Sequence, residues 1–269
     1  MTTTSPAPVS MIDRIVIILD VFDGAHGLTL AQVVTRTGLP RSSAHRILEH
    51  LVGVHWLRRD QLRYHLGLRI MELGTLAGYQ HQLRRAAAAH LHELAHRTGF
   101  IVHLAELDGP EIIYLDKLGG RFALRVPSRV GGRAPSTCTS AGKALLAYAG
   151  EHTLESLLSR PLPLPTPVSI GTERRLRNEL AHIQDRGIAF DREESARGLA
   201  CVGAPVGAPG APVAAISVCG PVGRVNLEQL VAPVRATAQA VWASFSAGRT
   251  APPGNLREIA QQPRQQVGA

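Results

Sequence analysis

The 269 residues are 45% apolar and 19% charged, the balance of a soluble globular chain long enough for one large domain or two ordinary ones. No apolar run approaches the roughly 20 residues of a membrane-spanning helix, and the best stretch, Ile15 to Phe22, is broken by Asp20. The net charge is +8 and almost wholly arginine, which suits a nucleic-acid partner, while three scattered cysteines suggest neither a disulfide framework nor a zinc spacing and point to a reducing cytosol.

Residues 1–9 are Thr/Ser/Pro/Ala-rich, without a basic start or an apolar core, and read as a disordered leader in place of a signal peptide. From Ser10 to about Phe22 the apolar positions Met11, Ile15, Ile18, Leu19 and Phe22 have helical spacing, with Ser10 as N-cap. After the turn Asp23–Gly27, Thr29 caps a second short helix facing inward through Leu30, Val33 and Val34, and Gly38 supplies its left-handed end. Pro40 suits the first position of a third helix, Arg41 to Val52, which buries Ala44, Ile47, Leu48 and Leu51 and turns Ser42, His45, Arg46 and Glu49 outward. Two helices joined by a short Gly-containing turn make a helix-turn-helix. The basic stretch Trp56–Leu66 predicts a hairpin turning near Asp60-Gln61, which makes it winged.

Residues 67–99 return to helical spacing as two helices meeting near Leu83. Gly74 and Gly78 lie four apart on the first, where small residues allow a partner helix to approach. From Phe100 strands alternate with helices. Strands are expected at Phe100–Leu107, Glu111–Leu118, Arg121–Val126, Ala200–Gly207 and Val213–Cys219, and helices at Ala141–Ala149, His152–Leu158, Glu173–Gln184 and Leu227–Ser246. Hairpin spacing at Asp108–Pro110 and Ala208–Pro212 favours a mainly antiparallel sheet with helices packed on it. The Pro-rich stretch Arg160–Pro167 reads as a surface loop.

The stretch Thr37-Gly38-Leu39-Pro40-Arg41-Ser42-Ser43-Ala44-His45-Arg46-Ile47-Leu48 closely resembles the recognition-helix signature of IclR-type transcription regulators. So do Arg63–Gly67, Val130-Gly131-Gly132, Thr139–Ala147, Gly187–Glu194, Gly198–Cys201 and Ala214–Pro221, in order from Ser10 to Ser246. The resemblance implies an α+β chain with a winged helix-turn-helix at 10–66, a linker helix at 67–82 and a GAF-like effector-binding domain of antiparallel sheet and helices at 83–247, followed by a disordered tail at 248–269. It also implies a cytoplasmic homodimer or dimer of dimers. Such a protein acts, more often as repressor than activator, on a near-palindromic double-stranded DNA operator, with a small organic or aromatic acid as effector, no cofactor and no membrane partner.

A helix in the major groove reads through outward side chains near its N-terminus, here Arg41, Ser42, Ser43, His45 and Arg46. The fork of Arg46 can take both acceptors of a guanine, while Ser42 and Ser43 suit phosphate. Arg58, Arg59 and Arg63 of the wing could straddle the backbone or enter the minor groove. Three neutralised phosphates per subunit would give a dimer a log–log salt slope of about −5.

Thr139-Ser140 precedes a helix expected to begin near Ala141, an end that favours a carboxylate. Gly142-Lys143 has a faint likeness to a phosphate loop, but Thr137 and Ala144 stand where its glycine and hydroxyl should be. By resemblance the ligand cavity maps onto Ser140, Ala141, Asp191, Leu199, Cys201, Ser217 and Cys219, with Val126 on its wall. Period two also puts 217 and 219 on one strand face. An ionised Asp191 would accept from a ligand hydroxyl or amine, and a protonated one would donate. Catalysis through Ser136 or Cys138 with His103 or His182 lacks a nucleophile elbow, and Asp191, Glu193, Glu194 and His182 lack the spacing of a metal site.

Overall fold

The computed structural model describes residues 10–119 and 126–250. The chain divides between Gln80 and His81 into two compact units.

In the first unit, helix α1 (Met11–Asp20) starts with a reciprocal capping box. The Ser10 hydroxyl accepts from the Asp13 amide at 3.1 Å, and the Asp13 carboxylate accepts from the Ser10 amide at 3.0 Å. Strand β1 (Leu28–Thr29) leads into α2 (Leu30–Thr37), which Thr29 and Gln32 cap in the same way. Gly38 (φ 68°) ends α2 in the left-handed conformation. Helix α3 (Arg41–Gly53) begins one residue after Pro40. Pro40 was expected at the first helical position, but it is the N-cap: its ψ is 135° and its carbonyl accepts the first helical bond, from Ala44 at 3.0 Å.

Strands β2 (Leu57–Asp60) and β3 (Arg63–Leu66) pair through Asp60↔Arg63, so the wing turns at Gln61-Leu62, one residue later than expected. Gln61 takes the left-handed conformation (φ 50°) without glycine. The sheet order is β1-β3-β2, and the core gathers Ile18, Phe22, Val33, Ile47, Leu48 and Tyr64. Helix α4 (Leu68–Gln80) buries none of its residues.

In the second unit the His81 imidazole caps α5 (Gln82–Thr98) by accepting from the Arg84 amide at 3.3 Å, so the two connector helices part at His81. Strands β4 (Ile101–Asp108) and β5 (Glu111–Leu118) form a hairpin, followed by β6 (Arg133–Pro135), α6 (Ser140–Leu146), α7 (Glu151–Leu158) and α8 (Glu173–Arg186). Strands β7 (Ala189–Arg192), β8 (Leu199–Ala208) and β9 (Ala211–Pro221) lead to α9 (Leu227–Thr250). All six strands make one antiparallel sheet in the order β6-β5-β4-β9-β8-β7.

Two cores sandwich this sheet. Leu83, Ala87, Leu91 and Leu94 of α5, with Val234, Ala238 and Val241 of α9, pack on Val102, Leu104, Val202, Ile216 and Val218. On the other face Ala144 and Leu145 of α6 and Leu176, Leu180 and Ile183 of α8 pack on Ala105, Ile112 and Ala215. A sheet covered on both faces reads as nearly continuous apolar strands, which is why β8 and β9 lack clean alternation. Period two then assigns His103, Cys201, Ser217 and Cys219 to the α6 face.

The short strands β1, β6 and β7 were not expected, and the tail expected from 248 is helical to Thr250. Of the strand expected at 121–126, residues 121–125 lie outside the described residues and Val126 is irregular; the leader 1–9 and the tail from 251 also lie outside the described residues.

Candidate functional site

The first surface is built on α3. Its inward positions Ala44, Ile47, Leu48 and Leu51 anchor it in the core, which leaves Arg41, Ser42, His45 and Arg46 exposed and Ser43 half-buried. Arg41, Arg46 and Arg58 are exposed, and no hydrogen bond or ion pair holds their guanidinium groups among the described residues. The other two wing arginines are committed to the domain. Arg59 donates to the Gln61 carbonyl at 3.0 Å and to Glu49 at 3.2 Å, and Arg63 donates to the Gly27 carbonyl at 3.1 Å.

Glu49, which sequence reasoning placed on the outward stripe without a role, joins helix to wing. It accepts from the Tyr64 hydroxyl at 2.7 Å and lies 3.8 Å from His45. Burial first, then the Glu49 hydrogen bond, pushes the Tyr64 phenol up to about 12. A carboxylate on an otherwise basic helix face was the sequence signal for this clamp.

The second site is a cavity of about 510 Å³ in the second unit, on the α6 face of the sheet. All eight residues mapped from the resemblance line it: Val126, Ser140, Ala141, Asp191, Leu199, Cys201, Ser217 and Cys219. Gly203 brings α6 close, since a Cβ there would lie 2.8 Å from the Ser140 carbonyl carbon. The α6 cap is Thr139, whose hydroxyl accepts from the Gly142 amide at 3.1 Å, so the helix starts one residue earlier than expected and Ser140 is its first residue.

Three features of the cavity were not anticipated. His103 and Tyr114 line it, their rings 4.8 Å apart. The His103 Nε2 lies 2.7 Å from the Ser128 hydroxyl, and its Nδ1 lies 3.5 Å from that of Ser217. Burial, helped by the Lys117 charge, lowers the imidazole to about 3, so it is neutral at physiological pH. Lys117 donates to the carbonyls of Val126 at 3.0 Å and Ser128 at 2.5 Å, strapping that segment beside the cavity.

Asp191 is fully buried, and its carboxylate already accepts from the Glu194 amide at 2.7 Å, the Ser195 amide at 3.3 Å and the Ser195 hydroxyl at 2.5 Å. Burial pushes this carboxyl up against those bonds and the Lys143 charge. Its first task is therefore to shape the turn at 194–195, which delivers Ser195 and Ala196 to the cavity.

Behind that turn Lys143, 1% exposed, donates to both oxygens of Glu194 at 2.7 and 2.9 Å and to Glu179 of α8 at 3.0 Å. The residue with the faint phosphate-loop likeness is thus a buried cross-link between α6, α8 and the cavity wall. Glu193, in the same turn, is left-handed (φ 64°), and its carboxylate accepts from the Gly198 amide at 2.7 Å. Such backbone strain persists only where surrounding bonds over-determine it.

The weighed nucleophiles have backbone partners. Ser136 donates to the Pro110 carbonyl at 2.6 Å and Cys138 to that of Pro163 at 3.3 Å. Among the described residues no group of three His, Cys, Asp or Glu could hold a metal, and no helix is long and apolar enough to cross a membrane.

A family model described as the C-terminal region of the bacterial transcriptional regulator IclR matches residues 77–243, and the IclR helix-turn-helix domain matches residues 11–61. The chain belongs to the IclR family of bacterial transcription regulators. It is 33% identical over 202 residues to the HTH-type transcriptional regulator XynR of Escherichia coli strain K12, covering 74% of this chain and 80% of that one. An IclR homolog from Microbacterium hydrocarbonoxydans, solved in complex with 4-hydroxybenzoate, superposes with a TM-score of 0.81 at 29% identity over 88% of this chain and 100% of the other. The IclR of Thermotoga maritima superposes at 0.69 with 27% identity over 87% and 98%. As an IclR-type regulator the chain pairs a DNA-binding helix-turn-helix with a C-terminal effector domain.

Proposed function

We propose that this IclR-type chain is a cytoplasmic repressor that binds a near-palindromic operator as a homodimer or dimer of dimers and releases it on taking up a small organic or aromatic acid. The observation that carries this reading is the 510 Å³ cavity, within the usual range of small-molecule pockets, in the unit matched by the family's C-terminal model. Its walls offer an aromatic ligand the Tyr114 and His103 rings and the apolar Leu199 and Val126, with the Thr139, Ser140, Ser195 and Ser217 hydroxyls as polar contacts. The first-turn amides of Ser140 and Ala141, which a helix leaves without internal acceptors, suit a carboxylate. The 4-hydroxybenzoate held by the Microbacterium homolog belongs to this ligand class.

On the DNA side Arg46 reads a base edge, Arg41, Ser42, Ser43 and His45 accompany it, and Arg58 reaches the backbone from the wing. Arg59 and Arg63 serve chiefly to hold the wing in shape. Dimerisation is supported by α4, which leaves Leu68, Met71, Leu76 and Tyr79 more than half exposed. A two-fold dimer presents two reading heads and so requires two related half-sites.

The test is fluorescence anisotropy of a labelled duplex from upstream of the gene, titrated with protein alone and with a panel of aliphatic and aromatic acids. One acid should weaken binding by about 5–150-fold, the range of ordinary allosteric coupling. Retention of full affinity across the panel would remove the acid-responsive repressor, and absence of binding at low salt would remove the DNA site.

A further inference from the structure

Cys201 and Cys219 are left without a task by the effector reading. Both are free thiols, and they stand directly opposite each other in the ladder between β8 and β9. Directly opposed residues of an antiparallel pair have Cα atoms about 4.5 or 5.5 Å apart, and both spacings fall within the window of about 4.4–6.8 Å that a disulfide requires. Opposed residues also project from the same sheet face, and both side chains line the 510 Å³ cavity. Although 8% and 2% exposed, they therefore border a space large enough to admit a small oxidant. The third cysteine, Cys138, is not among the cavity-lining residues and its thiol donates to the Pro163 carbonyl, which provides an internal control.

We propose that Cys201 and Cys219 form an oxidisable dithiol in the cavity wall that a small hydroperoxide closes to a cross-strand disulfide. One sulfur attacks a peroxide oxygen and breaks the O–O bond, giving a sulfenic acid and releasing the remaining oxygen as an alcohol, or as water from hydrogen peroxide. The opposed thiol then attacks the sulfenic sulfur, the S–S bond forms, and water leaves with the sulfenic oxygen. The two thiols lose two electrons and two protons, and the peroxide is reduced by the same two electrons. The Cys219 thiol beside it and burial push the Cys201 thiol up, and because the thiolate is the attacking species, oxidation through Cys201 should speed up as the pH is raised. Closure removes both S–H groups from the wall between Leu199 and Ser217, so the oxidised and reduced proteins present different cavities to a ligand.

The experiment needs no knowledge of the effector. The full-length protein is incubated with hydrogen peroxide, quenched with iodoacetamide under denaturing conditions, and analysed by intact mass and peptide mapping. The expected result is that only one of the three cysteines is alkylated, that the lost thiols appear as a Cys201–Cys219 cross-link, and that dithiothreitol restores alkylation of all three. Cys138→Ser should retain the cross-link and Cys219→Ser should abolish it, with folding of each checked by circular dichroism. Full alkylation after peroxide, sulfinic or sulfonic acids on separate residues, or a cross-link through Cys138 or between chains would overturn the proposal. Failure here leaves the DNA and effector reading intact, because neither uses these thiols as a redox pair.

Discussion

Replacing Lys143 with methionine tests how the cavity wall is held. The substitution keeps most of the side-chain volume but removes an ammonium that donates to Glu194 at 2.7 and 2.9 Å and to Glu179 at 3.0 Å. Glu179 is 31% exposed and can turn to water, whereas Glu194 is 10% exposed and is left as a buried charge without its partner. Breaking a buried pair from one side costs about 3–5 kcal/mol. For a unit of this size that lowers the melting temperature by roughly 6–20 °C. Burial already pushes the Glu194 carboxyl up, and losing Lys143 pushes it further. A carboxyl raised above its unfolded value favours the folded state as it protonates, so the loss should be largest above neutrality and shrink as pH falls towards 5. Adding Glu194→Gln should recover most of the stability, because the charge that needed a partner is gone. Melts by circular dichroism at pH 7.5 and 5.5 decide the matter. A Lys143→Met protein within about 1 kcal/mol of the parent at pH 7.5, or a double variant whose losses simply add, would refute the reasoning.

Three other outcomes follow from the same geometry. Arg46→Ala should weaken operator binding by about 1–3 kcal/mol in an anisotropy titration, with the melting curve nearly unchanged because the side chain is exposed and unpaired. Glu49→Ala deprives the buried Tyr64 hydroxyl of its acceptor and should cost about 1–3 kcal/mol of N-terminal-unit stability in denaturant titrations, while Tyr64→Phe in that background should recover part of it. His103 falls to about 3 in the fold, so between that value and its ordinary 6.5 the unfolded chain binds the extra proton. Stability should therefore drop by about 1.4 kcal/mol for each unit of pH lost in that window. Asp191 and Glu194, both raised by burial, contribute with the opposite sign, so the readout is the difference between parent and His103→Gln, which should lack the histidine arm.

What could be read from the sequence was largely local. Ser10, Thr29 and Gly38 announce helix ends through caps that need only neighbouring residues, and the buried stripe of α3 follows from helical spacing. The strands missed are two to four residues long, and Ala189–Arg192 carries no alternation of its own; it becomes a strand by pairing with β8. The eight cavity residues came from the family resemblance, with period two independently grouping only Ser217 and Cys219. His103 reaches the cavity through its register with Ser217, 114 positions away, and Lys143 finds Glu194 at a separation of 51. Contacts at such distances depend on how the sheet is assembled, and no local spacing encodes them. Arg59 and Arg63 show the converse: a basic wing looks uniformly available in sequence, yet both are tied down by Glu49 and backbone carbonyls.

The most direct test of the central claim places a photoreactive benzoylphenylalanine at Ser42, exposed in the first turn of α3. Irradiated with the upstream duplex, the protein should cross-link to that DNA, and an unlabelled specific duplex should compete the product away far better than random DNA. Cross-links confined to the protein's own C-terminal unit, or none at low ionic strength, would contradict the account.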